Sequence, residues 1–379
     1  MGFCVVTLLF LGWPEPGTRA LCAGDGWITI AAVGDVMMGT TYPEEKLPPR
    51  DGAGLFEGMG ALLKGHDVIF GNLEGPLIDQ GVPRKCEDEE GPGACYEFRT
   101  PTRYARHLAR AGFTAMSIAN NHALDFGEEG RRSTVAALRS AGIEPVGGRL
   151  VATLSIRGKR VALAGFSFSS SVPQPFSVLN VAAASATVAR LKKDHDIVIV
   201  SFHGGTEGKE ALRLGSGPEF FGREPRGDVK EFAHAVVDAG ADLVLGHGPH
   251  VVRALELYRG RLIVYSLGNF LAYRAFNISG PSGVSLVLQV KLDPRTGHFV
   301  SGRIAPVTLK GGGMPVPDPE GKAITLVKSL TESGFPTSGL ALSDDGHFSV
   351  PERQLTVKRM TVWQHVVARA RQLKVSLGL

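Results

Sequence analysis

The chain has 379 residues, of which 43% are hydrophobic and 21% are charged. This length and composition support one large domain or two ordinary ones with real cores, and they exclude a mainly disordered chain. Glycine is abundant, at 49 residues, but it follows no three-residue period, which excludes a collagen-like fold. A net charge of +4, without a dense stripe of Lys and Arg, gives no reason to expect a nucleic-acid partner.

The N-terminus carries an uncharged apolar run from Phe3 to Trp13, followed by small residues around Ala20 and Ala23. The run is too short to cross a bilayer but fits the core of a signal peptide. We therefore predict a signal peptide over residues 1–23 and an exported protein, periplasmic or at the cell surface, either free or held at the membrane by its N-terminus. The alternative is a misassigned start codon or a leader without this function.

From Trp27 onward, short apolar runs alternate with segments of helical periodicity, which is the α/β pattern. The predicted strands are Ile28–Val33, Val68–Phe70, Ala115–Ile118, Val161–Phe166, Ile197–Phe202, Leu243–Leu245 and Leu262–Tyr265. The predicted helices are Thr102–Ala111, Glu128–Ala141, Ala182–Lys193 and Asp228–Ala239. Beyond them, Val284–Leu292 and His298–Leu309 alternate as two antiparallel strands around a turn at Asp293–Gly297.

A Gly- and Pro-rich stretch from Gly311 to Gly321 predicts the end of the main body of the fold. We therefore assign residues 27–310 to one catalytic-type domain and residues 311–379 to a C-terminal linker and helical extension. Helices are expected in that extension near Ile324–Ser333 and Thr361–Leu373.

Two cysteines, Cys86 and Cys95, remain beyond the leader. In an oxidising compartment they could close a short disulfide loop, and their spacing matches no zinc knuckle. Two free thiols, or a metal or redox role, are the alternatives.

Polar residues follow the predicted strands with unusual uniformity. They are Asp35 after the first strand, Asn72 and Glu74 after the second, Asn120, Asn121, His122 and Asp125 after the third, His203 and Glu207 after the fifth, His247 and His250 after the sixth, and Asn269 after the seventh. Each one alone could be a helix cap or a turn residue. Because ligands of open α/β sheets gather at the carboxyl ends of the strands, the set as a whole predicts a shared metal site.

The types of donor atom restrict which metal ions the site could bind. Imidazole, carboxylate and carboxamide ligands without thiolate suit Mn²⁺, Fe²⁺ or Zn²⁺, and the mixture is typical of a two-metal cluster. Two such ions, about 3.5–4 Å apart, would clamp the attacking and leaving oxygens of a phosphoryl transfer. The sequence has neither a P-loop nor a Gly-x-Ser-x-Gly elbow as a competing site.

Six ordered motifs carry a resemblance to a known family. They are Gly34-Asp-Val-Met-Met-Gly39, Gly71-Asn-Leu-Glu74, Ala119-Asn-Asn-His122, His203-Gly-Gly-Thr-Glu207, Gly246-His-Gly-Pro-His250 and Tyr265-Ser-Leu-Gly-Asn-Phe270. In this order they resemble the motifs of the bacterial capsule-synthesis CapA family, which is associated with poly-γ-glutamate capsules and belongs to the calcineurin-like metallophosphoesterase superfamily. The resemblance implies a four-layer αββα fold with two mixed sheets packed between helices.

The resemblance also implies roles for individual residues. Asp35, Glu74 as a bridging carboxylate, Asn121, His203, His247 and His250 would bind metal, and His122 would protonate the leaving group. Met37 stands where the superfamily has a second ligand histidine, so one metal position would keep mainly Asp35, Glu74 and His250. We further predict that Glu207 or Asp125 orients the site and that Asn72, Asn120 and Asn269 contact the substrate.

Two functions remain open at this point. The residues favour a metal-dependent hydrolase outside the cytoplasmic membrane, acting on a phosphoester or on an amide-linked anionic polymer, with His122 as general acid. The family association favours an accessory protein of capsule or poly-γ-glutamate synthesis or export. In that role the chain would join a capsule-synthesis membrane complex, and its metal site would bind polymer without turnover.

Overall fold

The computed structural model of the chain describes residues 26–87 and 95–350. The predicted signal peptide and the predicted helix near Thr361–Leu373 lie outside the described residues. Among the helices that the structure describes, none combines the length and the apolar character that a membrane crossing requires.

The described chain folds into eighteen strands and six α-helices. The strands are β1 Ile28–Met37, β2 Val68–Leu73, β3 Ala115–Ser117, β4 Glu144–Val146, β5 Ala152–Ile156, β6 Lys159–Ser167, β7 Ile197–His203, β8 Glu219–Phe221, β9 Glu224–Gly227, β10 Leu243–His247, β11 Leu255–Tyr258, β12 Arg261–Val264, β13 Asn269–Ala272, β14 Val284–Leu292, β15 Phe299–Lys310, β16 Met314–Pro317, β17 Ala341–Leu342 and β18 His347–Ser349. The helices are α1 Gly60–Leu63, α2 Ala105–Ala111, α3 Gly127–Ser140, α4 Val181–Asp194, α5 Val229–Asp238 and α6 Lys322–Gly334.

Two large mixed sheets organise the molecule. The first has the order β17-β18-β15-β14-β1-β2-β3-β4, with β13 also paired to β1 and β16 to β15. The second has the order β11-β12-β10-β7-β6-β5, and β8 and β9 form a separate hairpin. The strands that carry the polar motifs run parallel to one another within each sheet: β1, β2 and β3 in the first, and β7 and β10 in the second.

The two sheets pack face to face, and helices cover both outer faces. One buried cluster joins the inner faces, with residues such as Phe70 of β2 and Leu245 of β10. A second cluster packs α1, α2 and α3 on the first sheet, and a third packs α4 and α5 on the second. The predicted four-layer αββα architecture is therefore confirmed.

Local sequence signals set the helix boundaries. Asn180 and Asp228 begin α4 and α5 by accepting hydrogen bonds from the backbone N–H groups of Ala183 and Glu231. Helix α2 ends at Gly112, whose φ of +100° is a left-handed conformation that favours glycine.

The strand predictions hold to within one residue at their apolar cores, but several strands continue further. β1 extends past the predicted Val33 to Met37, and β2 past Phe70 to Leu73. Beyond Gly34, β1 lies between two parallel neighbours, β2 and β13, which supply hydrogen-bonding partners for its polar end. Asp35 and Asn72 therefore lie inside strands and not after them.

Residues 311–350 pack on the same body. β16 pairs with the end of β15, and β18 pairs with its start, from Ser301 to Arg303. Helix α6, close to the helix expected near Ile324–Ser333, buries Ala323 and Val327 in the cluster between the two sheets.

Candidate metal site

The site lies where the carboxyl ends of the two sheets meet. In the first sheet, Asp35 pairs in register with Asn72 of β2 on one side and Asn269 of β13 on the other. In the second sheet, His203 and His247 pair in register as the last residues of β7 and β10. Strand pairing alone thus brings residues more than two hundred positions apart to one edge.

Gly34 permits this arrangement at its tightest point. A Cβ atom at Gly34 would lie 1.9 Å from the carbonyl oxygen of Gly268, so no other residue fits without moving the backbone. The close approach lets the Asp35 N–H donate to the Gly268 carbonyl at 2.9 Å. Asp35 is thereby fixed in place against the segment that leads to Asn269.

A compact set of donor atoms forms the centre of the site. One oxygen each of Asp35 and Glu74 and one ring nitrogen of His203 all lie within 4.8 Å of one another. Asp35 and Glu74 are fully buried and His203 is 1% exposed. This is a group of ligand types and a spacing that can hold a divalent cation.

Unsatisfied polar atoms concentrate in the same place. In the described chain, eight buried side-chain nitrogen or oxygen atoms lack a hydrogen bond, and five of them belong to the site. These are Asp35 Oδ2, both carboxylate oxygens of Glu74, Asn121 Oδ1 and His203 Nε2. A buried polar atom without a partner costs roughly 1–3 kcal/mol. Asp35, Glu74 and His203 each offer an atom close enough to the others to share one bound cation, so this donor set fits a metal.

The pKa shifts of the two central carboxylates also indicate a place for a cation. Burial, and then the neighbouring Asp35, raises the pKa of Glu74 well above its usual range. Burial also opposes ionisation of Asp35, but His250 outweighs it, with further help from His247 and His203, and lowers the pKa of Asp35 to about 2. Two buried carboxylates so close together are costly to ionise unless positive charge lies beside them.

His250 supplies positive charge beside this pair. Its Nδ1 lies 3.0 Å from Asn269 Oδ1 and 3.2 Å from Asp35 Oδ2, and its Nε2 lies 3.6 Å from Glu74 Oε1. Burial disfavours the charged imidazole, but Glu74, Asp35 and Glu207 together raise the pKa of His250 to about 10. A protonated ring thus occupies the position beside the carboxylates where a cation is favoured.

Three buried carboxamides hold these groups in place. Asn72 donates to Asp35 Oδ1 at 2.9 Å, lies 3.3 Å from His203 Nδ1, and accepts from Asn120 at 3.0 Å. Asn269 donates to the backbone carbonyls of His250 and Ser282. Asn72, Asn120 and Asn269, predicted to contact substrate, are all fully buried and bonded to other parts of the site.

His122 and Asp125 form a second unit next to the donor cluster. His122 Nδ1 lies 2.9 Å from Asp125 Oδ2, and Asp125 also accepts the Phe98 N–H at 2.7 Å. The Phe98 ring packs against the imidazole, with the centroids 4.7 Å apart. Asp125 therefore fixes the orientation of the His122 ring through Nδ1.

Glu207 reaches the site from the loop after β7. Its Oε2 lies 3.6 Å from His250 Nε2 and 3.4 Å from the Arg226 guanidinium. Arg226 is itself buried, 4.1 Å above the Phe168 ring and 2.7 Å from Glu224. Glu207 is therefore held between two cationic groups.

His247, a predicted ligand, and Met37, which was not predicted to bind metal, both make contacts within the protein. His247 Nε2 lies 3.2 Å from the Val33 carbonyl oxygen, and its Nδ1 lies 3.4 Å from Ser201 Oγ. Its role as a ligand stays a prediction. Met37, at the place of the superfamily histidine, is buried and its sulfur accepts a hydrogen bond from Thr100.

Sequence reasoning missed Lys85. Its Nζ lies 3.3 Å from His122 Nδ1 and 3.8 Å from Asp125 Oδ1. It directly precedes Cys86, which forms the expected disulfide with Cys95. The cysteine pair was the sequence signal nearest to Lys85.

The fold and the buried donor cluster define an α/β protein with a candidate metal site at the carboxyl edge of its sheets. The family model described as "Bacterial capsule synthesis protein PGA_cap" matches residues 29–274, which include every predicted site residue. The chain therefore belongs to this bacterial capsule synthesis family, the CapA family that its motifs predicted.

The chain is also similar to individual proteins of known name and to a solved structure. The chain is 26% identical to the PGA biosynthesis protein CapA of Bacillus subtilis strain 168, over 81% of this chain and 79% of that relative. It is 31% identical to a probable polyglutamine synthesis accessory protein of Mycobacterium tuberculosis, over 64% of this chain and 66% of that relative. Among solved structures it is similar to a phosphatase from Mycoplasma pneumoniae, 12% identical with a TM-score of 0.45, covering 77% of this chain and 95% of that one.

Proposed function

We propose that this member of the family is a metal-dependent hydrolase that works outside the cytoplasmic membrane. The observation that carries the proposal is the concentration of five unsatisfied buried donor atoms on Asp35, Glu74, Asn121 and His203. A stable fold avoids such atoms unless a ligand satisfies them. Mixed nitrogen and oxygen donors without thiolate favour Mn²⁺, Fe²⁺ or Zn²⁺, one or two per chain.

Asp35, Glu74 and His203 would hold the metal, with Asn121 and His250 beside them. When bound, such a metal polarises a phosphoryl or acyl oxygen and lowers the pKa of a water molecule. The protein keeps the centre dry, since Asp35 and Glu74 are fully buried, and Asn72 and Asn269 orient its side chains.

His122 supplies the proton for the leaving group. Burial lowers the pKa of His122, which strengthens it as an acid, while Asp125 opposes that shift and favours the charged ring. In the charged form Nδ1–H donates to Asp125, and Nε2–H is free to donate to the departing oxygen or nitrogen. Asp125 is thus a positioning residue that acts through His122.

The substrate class follows from the site and from the relatives. It is a phosphoester, or an anionic amide-linked polymer of the kind that the names of the relatives indicate. The predicted signal peptide would place the reaction in the periplasm or at the cell surface, next to a capsule-synthesis membrane complex as partner.

The test separates metal binding from proton transfer. With bis-p-nitrophenyl phosphate and with poly-γ-glutamate as substrates, His122→Ala should keep its metal while turnover falls about 10²–10⁴-fold, the usual range for loss of a general acid. His195→Ala, a histidine at the end of α4 that bonds to Leu191 and Thr153, is the matched control and should keep both. Loss of metal in His122→Ala would show that His122 is a ligand and that its assigned role is wrong.

A second candidate function is metal-dependent polymer binding without turnover, which the "synthesis accessory protein" name of the mycobacterial relative favours. It predicts that the wild type hydrolyses neither substrate with added Mn²⁺, Fe²⁺ or Zn²⁺ and yet binds poly-γ-glutamate. That result would reject the hydrolase.

A further inference from the structure

Two short segments of the chain, residues 84–87 and residues 95–98, contact the His122–Asp125 pair. No predicted site residue lies in either segment, and neither belongs to a helix or a strand. Asp125 is fully buried and His122 is 7% exposed, so neighbouring protein groups fix where both side chains lie.

The first segment, residues 84–87, touches both members of the pair. The Arg84 N–H donates to the Asp125 carbonyl at 2.7 Å. Lys85 Nζ lies 3.3 Å from His122 Nδ1 and 3.8 Å from Asp125 Oδ1. The first segment therefore holds Asp125 through its backbone and meets the imidazole through a side chain.

The second segment, residues 95–98, holds the pair through Phe98. Its N–H donates at 2.7 Å to Asp125 Oδ2, the same oxygen that lies 2.9 Å from His122 Nδ1. The Phe98 ring packs on the His122 ring and on Phe276, with centroids 4.7 Å and 5.7 Å away. Phe276 in turn packs on His250 at 4.7 Å. Phe98 thus links the proposed proton donor to the histidine beside the donor cluster.

Three connections join the two segments to each other. The Cys86 N–H donates to Glu97 Oε1 at 3.0 Å, and Lys85 Nζ donates to the Tyr96 carbonyl at 3.3 Å. The third connection is the covalent Cys86–Cys95 disulfide. Because segments without regular secondary structure open locally at a low free-energy cost, this covalent link restricts their motion more than two hydrogen bonds do.

We propose that the Cys86–Cys95 disulfide is a positioning element of the site, which holds both segments against the His122–Asp125 pair and so fixes the direction of the His122 ring. Without the link, the two segments separate part of the time and the contacts of Asp125 with them are lost together. That the pair serves catalysis rests on the proposed function, but the hold of the disulfide on its geometry does not.

Amide hydrogen exchange tests the positioning without turnover. The variant is the full chain with Cys86→Ser and Cys95→Ser together, and exchange is followed residue by residue by NMR. We expect the Arg84 and Phe98 amides, which donate to Asp125, to exchange about 10-fold or more faster than in the wild type. The Gly297 amide, in the turn between β14 and β15, donates to the Asp293 carbonyl and should exchange within about 2-fold of the wild type.

Two results of the exchange experiment would overturn the proposal. Equal rates at Arg84 and Phe98 in the variant and the wild type would show that the disulfide does not hold these contacts. An equal acceleration at Gly297 would show that its loss loosens the whole molecule and not the pair.

Turnover tests what the positioning does. The double-serine variant should keep its metal, since neither cysteine belongs to the donor cluster. Its kcat for bis-p-nitrophenyl phosphate should fall about 10-fold or more with KM within about 2-fold, because a displaced proton donor weakens the transition state and not substrate binding. Asp242→Asn, which removes the counter-charge of Lys192 and Arg261 away from these segments, is the destabilised control and should keep kcat. Faster exchange with unchanged kcat would contradict the positioning role.

A second measurement applies if the double-serine variant does not fold. The folded wild type is treated with a water-soluble phosphine, which takes an oxygen atom from water to become the phosphine oxide and leaves two thiols in place of the disulfide. After removal of the phosphine we expect the same changes in exchange and kcat, and reoxidation with oxidised glutathione should restore both. Unchanged exchange and kcat in the reduced protein would overturn the proposal.

These outcomes stand apart from those of the hydrolase test. A wild type without turnover, whose Arg84 and Phe98 amides exchange faster once the disulfide is lost, rejects the proposed hydrolase and keeps the positioning. A wild type that turns over substrate, with exchange and kcat insensitive to the loss of the disulfide, does the reverse.

Discussion

Two buried carboxylates, one near each end of strand β10, have opposite surroundings. At its start, the fully buried Asp242 accepts the Val198 N–H on Oδ2 at 2.8 Å, and the same oxygen lies 2.6 Å from Lys192. Its Oδ1 makes no hydrogen bond, but it lies 3.0 Å from the Arg261 guanidinium. At its other end, where His247 meets the first sheet, Glu74 is equally buried but has no hydrogen bond on either oxygen.

This difference distinguishes a carboxylate that stabilises the fold from one that is available to a ligand. A buried charge is stable when counter-charges and N–H donors surround it, as they surround Asp242. Around Glu74, the carboxylates of Asp35 and Glu207 oppose its ionisation, and only His250, which acts less strongly than Asp35, and the weaker Lys85 favour it, which is costly for folding alone. Such an arrangement persists where a bound cation uses it, and strained electrostatics of this kind mark functional sites.

The largest expected effect concerns metal binding. Glu74→Gln keeps the size of the side chain but removes the charge that a divalent ion needs, so metal affinity should fall about 100-fold or more. Isothermal titration of chelator-treated protein with Mn²⁺ and Zn²⁺ measures it. Asp242→Asn is the control at the opposite end of the strand and should bind metal as the wild type does; equal affinities for Glu74→Gln and wild type would remove Glu74 from the ligand set.

A smaller effect is expected on stability from Asp242→Asn. The change leaves Lys192 and Arg261 without their shared counter-charge, and we expect the free energy of unfolding to fall by about 2 kcal/mol, less than for a fully buried pair because both cations are partly exposed. Urea unfolding followed by circular dichroism gives the value. A loss below about 0.5 kcal/mol would mean that the ion pairs of Asp242 do not stabilise the fold.

The smallest effect is expected from Glu74→Gln in the metal-free protein. Removing a desolvated acid beside Asp35 relieves repulsion but also removes a partner of His250, so the free energy of unfolding should stay within about 1 kcal/mol of the wild type. Urea unfolding with a chelator present tests this, and Glu256→Gln, a buried glutamate bonded to Tyr265 and His234, is the matched control. Destabilisation as large as that of Asp242→Asn would show that Glu74 stabilises the fold as Asp242 does, and would contradict the difference between them.

Much of the site was readable in the sequence because its signals are local. An apolar strand core followed at once by a polar residue with glycine beside it is visible in a few consecutive positions, as at Val33-Gly34-Asp35 and Phe202-His203-Gly204. The α/β alternation then placed these ends at one edge, and six ordered motifs predicted the family that the family model confirms. The Cys86–Cys95 disulfide, which the sequence offered with free thiols as an alternative, is also present.

Only the tertiary structure decided how these residues are used. The sequence could not show that β13 would pair with β1 and extend it through Asp35, that Asn72 would bond Asp35 and Asn120, or that Lys85 would lie against His122. Each of these contacts joins segments that lie far apart in the chain and that carry no periodic pattern linking them. Polar contacts of about 3 Å form only when the two side chains point toward each other. The packing and register of the sheets set these directions, and the strand propensity of single residues does not.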